Sequence, residues 1–96
     1  IPGNGIYATW ARLGERVLMA ATSIGTRPTF AESERTVEAF ILDFEGDLYG
    51  QELRLEFVQR LRDEARYDSV QALQDQIASD VGQARSVLQA SRPNPR

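Results

Sequence analysis

The stretch Thr36–Phe44, TVEAFILDF, places one carboxylate where chemistry could use it. Side chains on a strand alternate between faces, so Glu38 shares one side with Phe40, Leu42 and Phe44, while Val37, Ala39 and Ile41 take the other. Burying a carboxylate unpaired is costly, so Glu38 must be solvated, paired or used. Two readings stand together: an ordinary carboxylate on a solvent edge, or a general base held at the mouth of a barrel.

Three other stretches carry reactive or polar groups. SIGTRPTF offers Gly25 for a chain reversal, Pro28 as a fixed dihedral, the hydroxyls of Thr26 and Thr29, and Arg27, which could reach a phosphate. It is not the Gly-x-x-x-x-Gly-Lys-Ser/Thr phosphate loop, and it reads equally as a plain hairpin loop. DFEGDLYG alternates Asp43, Glu45 and Asp47, but it lacks the glycine and flanking helices of a calcium loop and reads as a solvated acidic turn. LRDEARYDS is a charged connection with one anchoring ring, Tyr67.

The rest of the composition narrows the chemistry. With 96 residues the chain makes one small domain. A net charge of −3, with scattered Arg and no Lys, argues against a nucleic-acid partner. The absence of Cys and His excludes zinc sites, thiol nucleophiles and His-based triads. Acid–base work falls to Asp, Glu, Tyr or Arg, any metal would take oxygen ligands, and no metal-ligating set stands out. No apolar run approaches the roughly 20 residues of a membrane span, so no membrane partner is expected. Cysteine-free composition is consistent with a cytoplasmic location.

The elements that must position these groups follow from the pattern. IYATWARL (6–13) predicts a strand, Gly14-Glu15 a tight hairpin turn, and RVLMAATSIG (16–25) the returning strand. TRPTFAESER (26–35) reads as a ten-residue loop, mobile or functional. The Glu38 strand follows, then a Gly-rich turn and a strand with Leu53, Leu55 and Phe57 inward and Arg54 and Glu56 outward. Val70, Leu73, Ile77, Val81, Ala84 and Leu88 recur at helical spacing, and Asp68 with Gln71 predicts an N-cap and capping box. Four strands and one helix of roughly 20 residues predict an antiparallel sheet or small barrel carrying a helix.

Taken in order, GIYATW, SIGTRPTF and ERTVEAFILDFEGDLYGQELRLEFVQRLRDEARYDSVQALQDQIASDV resemble the riboflavin kinase (flavokinase) module found at the C-terminal end of bacterial bifunctional riboflavin kinase/FAD synthetases. The resemblance covers Gly5 to about Leu88. It implies an all-β, riboflavin-kinase-like antiparallel Greek-key barrel, incomplete here, followed by one long C-terminal α-helix. It implies transfer of the γ-phosphoryl of ATP to the 5′-hydroxyl of riboflavin to give FMN, within FAD biosynthesis. Mg²⁺ and ATP are the implied cofactors, and riboflavin and FMN the substrate and product.

By the same resemblance Glu38 is the catalytic base, Leu48 and Tyr49 line the nucleotide site, and Leu61, Arg62, Tyr67 and Asp68 contact the flavin. Gly25, Thr26, Arg27, Pro28 and Thr29 belong to a flexible loop that covers the active site. Two departures are small: Ser23 stands where bacterial members carry Asn, and Tyr67 where Phe is usual. The third is larger. The family's Gly-rich loop and Pro-Thr-x-Asn motif, which hold Mg²⁺ and the ATP phosphates, precede the strand that IPGNGIYA opens, and RPTF (27–30) does not replace them.

The expectation is therefore a riboflavin kinase-like domain over 1–91, truncated on its N-terminal side, with a flexible tail over 92–96 and an adenylyltransferase module in the parent chain. Alone, such a chain is expected to be weakly active or inactive. The alternatives are a non-catalytic flavin-binding or interaction module, and an open sheet completed by a second copy.

Overall fold

The computed structural model describes residues 2–48 and 50–91. Its elements are β1 (Gly5–Leu13), β2 (Arg16–Pro28), β3 (Ser33–Ile41), β4 (Leu53–Arg62) and α1 (Val70–Ala90). The strands form one antiparallel sheet in the order β3-β2-β1-β4, the Greek-key arrangement in which the fourth strand returns to lie beside the first. β3 and β4 are its two edges, so the sheet is open rather than closed into a barrel. No helix among the described residues is long and apolar enough to cross a membrane.

β1 is central and buried along nearly its whole length, as its Ile, Tyr, Thr and Trp content suits. It turns into β2 through Gly14-Glu15, with Leu13 opposite Arg16 and a positive φ at Gly14 alone, the φ pattern of a type II′ hairpin. One face of the sheet packs against α1, where Ala8, Trp10, Ala21, Ala84 and Leu88 form the buried cluster. Trp10 also donates from its indole N–H to the carbonyl of Ser91, 3.2 Å away, at the end of the helix. The opposite face holds Thr9, Thr22, Ala20 and Ile24, none of them exposed. There Tyr7 packs edge-on against Phe57 at 5.3 Å, and the hydroxyls of Thr9 and Thr22 lie 2.8 Å apart.

Four boundaries differ from the sequence expectation. β2 continues through Gly25, Thr26 and Arg27 to Pro28, pairing with Thr36, Arg35, Glu34 and Ser33, so the ten-residue loop shrinks to a four-residue tip. The amide and hydroxyl of Thr29 both donate to the carbonyl of Glu32 and close that tip. β1 pairs with β2 only as far as Ile24, so Pro28 sits in a two-stranded ribbon where a missing N–H costs little.

β3 ends at Ile41, and Asp43 adopts a positive φ of 55°. Leu42 is buried just beyond the strand, its amide bonded to the Met19 carbonyl, and it keeps to the helix side with Glu38 and Phe40 as the alternation predicts; Phe44, past the Asp43 turn, lies under the guanidinium of Arg16. β4 extends to Arg62, which puts Leu61 and Arg62 on the strand rather than in the connection. Finally, the N-cap is Ser69 and not Asp68: the Ser69 hydroxyl accepts from the amide of Ala72. The expected tail, 92–96, lies outside the described residues.

Candidate active site

Glu38 stands directly opposite Ser23 in the β3–β2 ladder, and Phe40 stands opposite Ala21. Both project to the helix side of the sheet, and both line a cleft of about 420 Å³, within the usual range for small-molecule sites. Its floor is Ile6, Ala21 and Ser23. Its far wall is Leu73, Ile77, Asp80 and Val81 of α1, with Arg62 and the connection residues Glu64, Ala65 and Tyr67 closing one end.

The two walls differ in character. Glu38 is exposed and makes no hydrogen bond or ion pair among the described residues, so its carboxylate is free to accept a proton from a bound group. The opposing wall is mostly apolar and open: Leu73 and Ile77, which the helical stripe predicts as core, are 42% and 38% exposed, and Val70, a turn earlier and outside the lining, is 71% exposed. Only from Asp80 onward does α1 bury residues against the sheet.

Arg62 and Asp80 join across the end of the cleft. Arg62 donates through Nε to Asp80 Oδ1 at 2.8 Å and through Nη2 to Oδ2 at 2.6 Å, a two-pronged pair, and through Nη1 to the carbonyl of Asp63. Gln76 gives Asp80 a further hydrogen bond of 3.1 Å. The hydrogen bonds to Asp80 hold the Arg62 guanidinium above its already high ordinary pKa, against a desolvation that lowers it. Asp80 is 5% exposed, and Arg62 supplies the paired, hydrogen-bonded partner that a carboxylate so buried needs.

The expected flavin contacts thus divide. Arg62 and Tyr67 line the cleft with Glu38; Leu61 and Asp68 do not. Leu61 faces a separate groove on the far side of α1, because two irregularities in the β1–β4 pairing leave Val58 and Leu61 as extra residues turned toward the helix cluster. Asp68 is exposed just before the cap. The hydroxyl of Tyr67 is enclosed without a hydrogen-bond partner.

Gly25 reaches the lip of the cleft, where Glu64 lies so close that a Cβ there would sit 2.2 Å from its carboxylate. Thr26 receives a hydrogen bond from Asn4; with Arg27 and Pro28 it lies on the exposed ribbon, and Thr29 in the tip beyond it, none of them in the cleft lining. Leu48 sits in the β3–β4 connection, its carbonyl accepting from the amide of Gln51. Tyr49 lies outside the described residues.

Asp80 and Glu64 escape the sequence reading. Asp80 carried a usable signal, a carboxylate on the apolar stripe three residues after Ile77; Glu64 carried none. Among the described residues no group of three or more Asp or Glu gathers to hold a metal, and the most buried cleft carboxylate is committed to Arg62. No step is assigned to a metal ion.

An antiparallel Greek-key sheet with one long helix, and the carboxylates of Glu38 and Glu64 beside a cleft with one apolar wall, describe a small-molecule-binding domain with carboxylate bases at its rim. Comparison with known proteins makes this specific: the riboflavin kinase (flavokinase) family model matches residues 1–88, and the chain belongs to that family. It is 37% identical over 93 residues to the bifunctional riboflavin kinase/FMN adenylyltransferase of Escherichia coli (strain K12), covering 96% of this chain and 30% of that protein. Against the RNA-binding riboflavin kinase RibR of Bacillus subtilis the identity is 33%, over 81% of this chain and 34% of the relative. Against the bifunctional riboflavin kinase/FMN phosphatase of Arabidopsis thaliana it is 40%, over 88% and 23%.

A solved Streptococcus pneumoniae structure, described as a macrolide-efflux protein, matches 88% of this chain and 28% of its own with a TM-score of 0.83 and 32% identity. The chain spans about a third or less of the length of these relatives.

Proposed function

We propose that this chain is the flavin-binding and proton-accepting part of a riboflavin kinase, which moves the γ-phosphoryl of ATP to the 5′-hydroxyl of riboflavin. One observation carries the reading: the unpaired Glu38 carboxylate stands at the side of an apolar cleft of suitable size in a chain of this family. The flavin ring would lie between Phe40 and the Leu73–Ile77 wall, with Tyr67 at its end. The ribityl chain would then run toward Glu38, whose carboxylate takes the proton as the hydroxyl oxygen bonds to the γ-phosphorus and ADP departs.

Leu48 and Tyr49 are assigned to the nucleotide side, and the ribbon from Gly25 to Thr29 to covering the site. The parent protein would also hold an adenylyltransferase module and work in the cytoplasm. The acidic net charge and the pairing of Arg12, Arg60, Arg62 and Arg85 with carboxylates favour small-molecule rather than nucleic-acid partners. Phosphoryl transfer depends on positioned phosphates and neutralised charge. The resemblance places the groups for this on a Gly-rich loop and Pro-Thr-x-Asn motif that the 96 residues do not include, so the chain alone is expected to bind flavin and yield little FMN.

Riboflavin titrated with the chain tests the binding half: saturable quenching of flavin fluorescence is expected. A flat titration at high micromolar protein would remove the cleft as the flavin site. FMN formed at an ordinary turnover by the chain alone would show that the phosphate-handling groups are here after all.

A further inference from the structure

The first three turns of α1 overhang the sheet. Val70 is 71% exposed and Leu73 and Ile77 stand only part-covered across the cleft from the sheet, and the first buried helix residue is Asp80. The wall that faces Glu38 is therefore not held by the apolar packing that normally fixes an amphipathic helix. What ties it at this point is polar: the two-pronged Arg62–Asp80 pair, with Gln76 bracing the same carboxylate from one turn earlier. Arg62 is itself anchored, because it ends β4 opposite Ile6 of the central strand and its remaining Nη1 holds the Asp63 carbonyl. With both ends of the guanidinium engaged, Arg62 has little left to offer a ligand directly.

We propose that Arg62 and Asp80 are a positioning pair that sets the spacing between the α1 wall and the Glu38 wall of the cleft. Flavin affinity, rather than the transfer step, then depends on this pair. The inference rests on the reading of the cleft as the flavin site. It reassigns Arg62 from ring contact to scaffold, and it gives Asp80, on the far wall of the cleft, a role that acts through Arg62. A planar guanidinium suits that task because its fork fixes direction as well as distance, which a lysine ammonium does not.

The test uses the full-length protein with Asp80→Asn, Arg62→Lys and the charge-exchanged double variant Arg62→Asp/Asp80→Arg. Asp80→Asn should raise the riboflavin KM roughly tenfold, with kcat and the ATP KM within about threefold, as expected when a binding wall is misplaced by a fraction of an ångström. Arg62→Lys should give a smaller rise of the same kind, and the exchanged pair should recover part of the loss. Hydrogen exchange should quicken about tenfold at amides 70–79 in Asp80→Asn and stay unchanged in β1 and β2.

An unchanged riboflavin KM in both single variants overturns the proposal. So does a fall in kcat with KM intact, or exchange that quickens evenly along the chain. If Asp80→Asn fails to fold, Arg62→Lys decides alone. A wild-type protein that neither binds nor phosphorylates riboflavin instead sinks the flavin reading, and the exchange pattern would still report on the pair.

Discussion

Gly25→Ala separates what the backbone demands at the cleft's lip from what Glu64 does there. Gly25 lies in β2 opposite Thr36 and its φ is not positive, so an alanine is permitted by the backbone. Within the strand it should gain about 0.5–1 kcal/mol from the smaller entropy loss. The obstacle is one side chain: the new Cβ would fall 2.2 Å from Glu64 Oε2, 3.0 Å from its Cδ and 3.3 Å from Oε1. Glu64 must therefore retreat by about 1 Å to restore van der Waals separation. Its side chain is exposed and ends a flexible stem, so the move costs no more than about 0.5–1.5 kcal/mol of rotamer strain.

The two effects nearly offset, and the thermal midpoint of Gly25→Ala should stay within about 4–8 °C of wild type. Riboflavin binding should change, because Glu64 lines the cleft it is pushed toward. In the Glu64→Ala background the clash is gone, so the same glycine substitution should raise the midpoint by the strand gain of about 0.5–1 kcal/mol and leave affinity untouched. Thermal unfolding and flavin fluorescence quenching on the four proteins give the cycle. A loss above about 3 kcal/mol that Glu64→Ala does not relieve would mean that backbone, not Glu64, restricts this position, and the reasoning would fail.

Other expectations concern the parts that hold the cleft in shape. Thr9 and Thr22 share a hydrogen bond with neither hydroxyl exposed, and Thr9 also reaches the Ala20 carbonyl at 3.3 Å. Thr9→Val and Thr22→Val should each destabilise by about 1–2 kcal/mol in urea unfolding, and the double variant by clearly less than the sum; strict additivity would refute the coupling. Asp43 is held below the usual carboxylate range by hydrogen bonds from Arg85 and then by its charge. A depressed carboxylate stabilises the fold above its unfolded value near 3.8 and loses that contribution as pH falls through the lower folded value. The midpoint difference between wild type and Asp43→Asn should therefore be present at pH 6 and vanish toward pH 2. Asn tolerates the positive φ at this site, so a difference persisting at pH 2 would mean the substitution acts through something other than charge.

The parts of this fold that were readable are those where one physical signal dominates. Gly14-Glu15 between alternating segments marks the hairpin, and the apolar stripe marks α1. What was hidden depended on neighbours. Pro28 signals a loop unless one knows that β1 has already ended and left β2 paired on one side only. Leu61 obeys the strand alternation until the pairing irregularities turn it toward the helix, and no local residue announces those. Asp68 and Ser69 are both good caps, so spacing alone could not choose between them. Glu38 was legible as an anomaly, a carboxylate in an apolar row, and Asp80 offered the same anomaly on the helix. The stripe's exposed first half could not be anticipated, because periodicity reports which face is apolar and not how far the sheet beneath it extends.

Glu38→Gln in the full-length protein, followed by single-turnover FMN formation and separate riboflavin titration, decides whether this carboxylate is the base. Removing a general base should lower the rate by roughly 10²–10⁴-fold. Because Gln keeps the shape of the side chain, riboflavin affinity should stay within about threefold of wild type. An unchanged rate of FMN formation would contradict the assignment of Glu38 as the base.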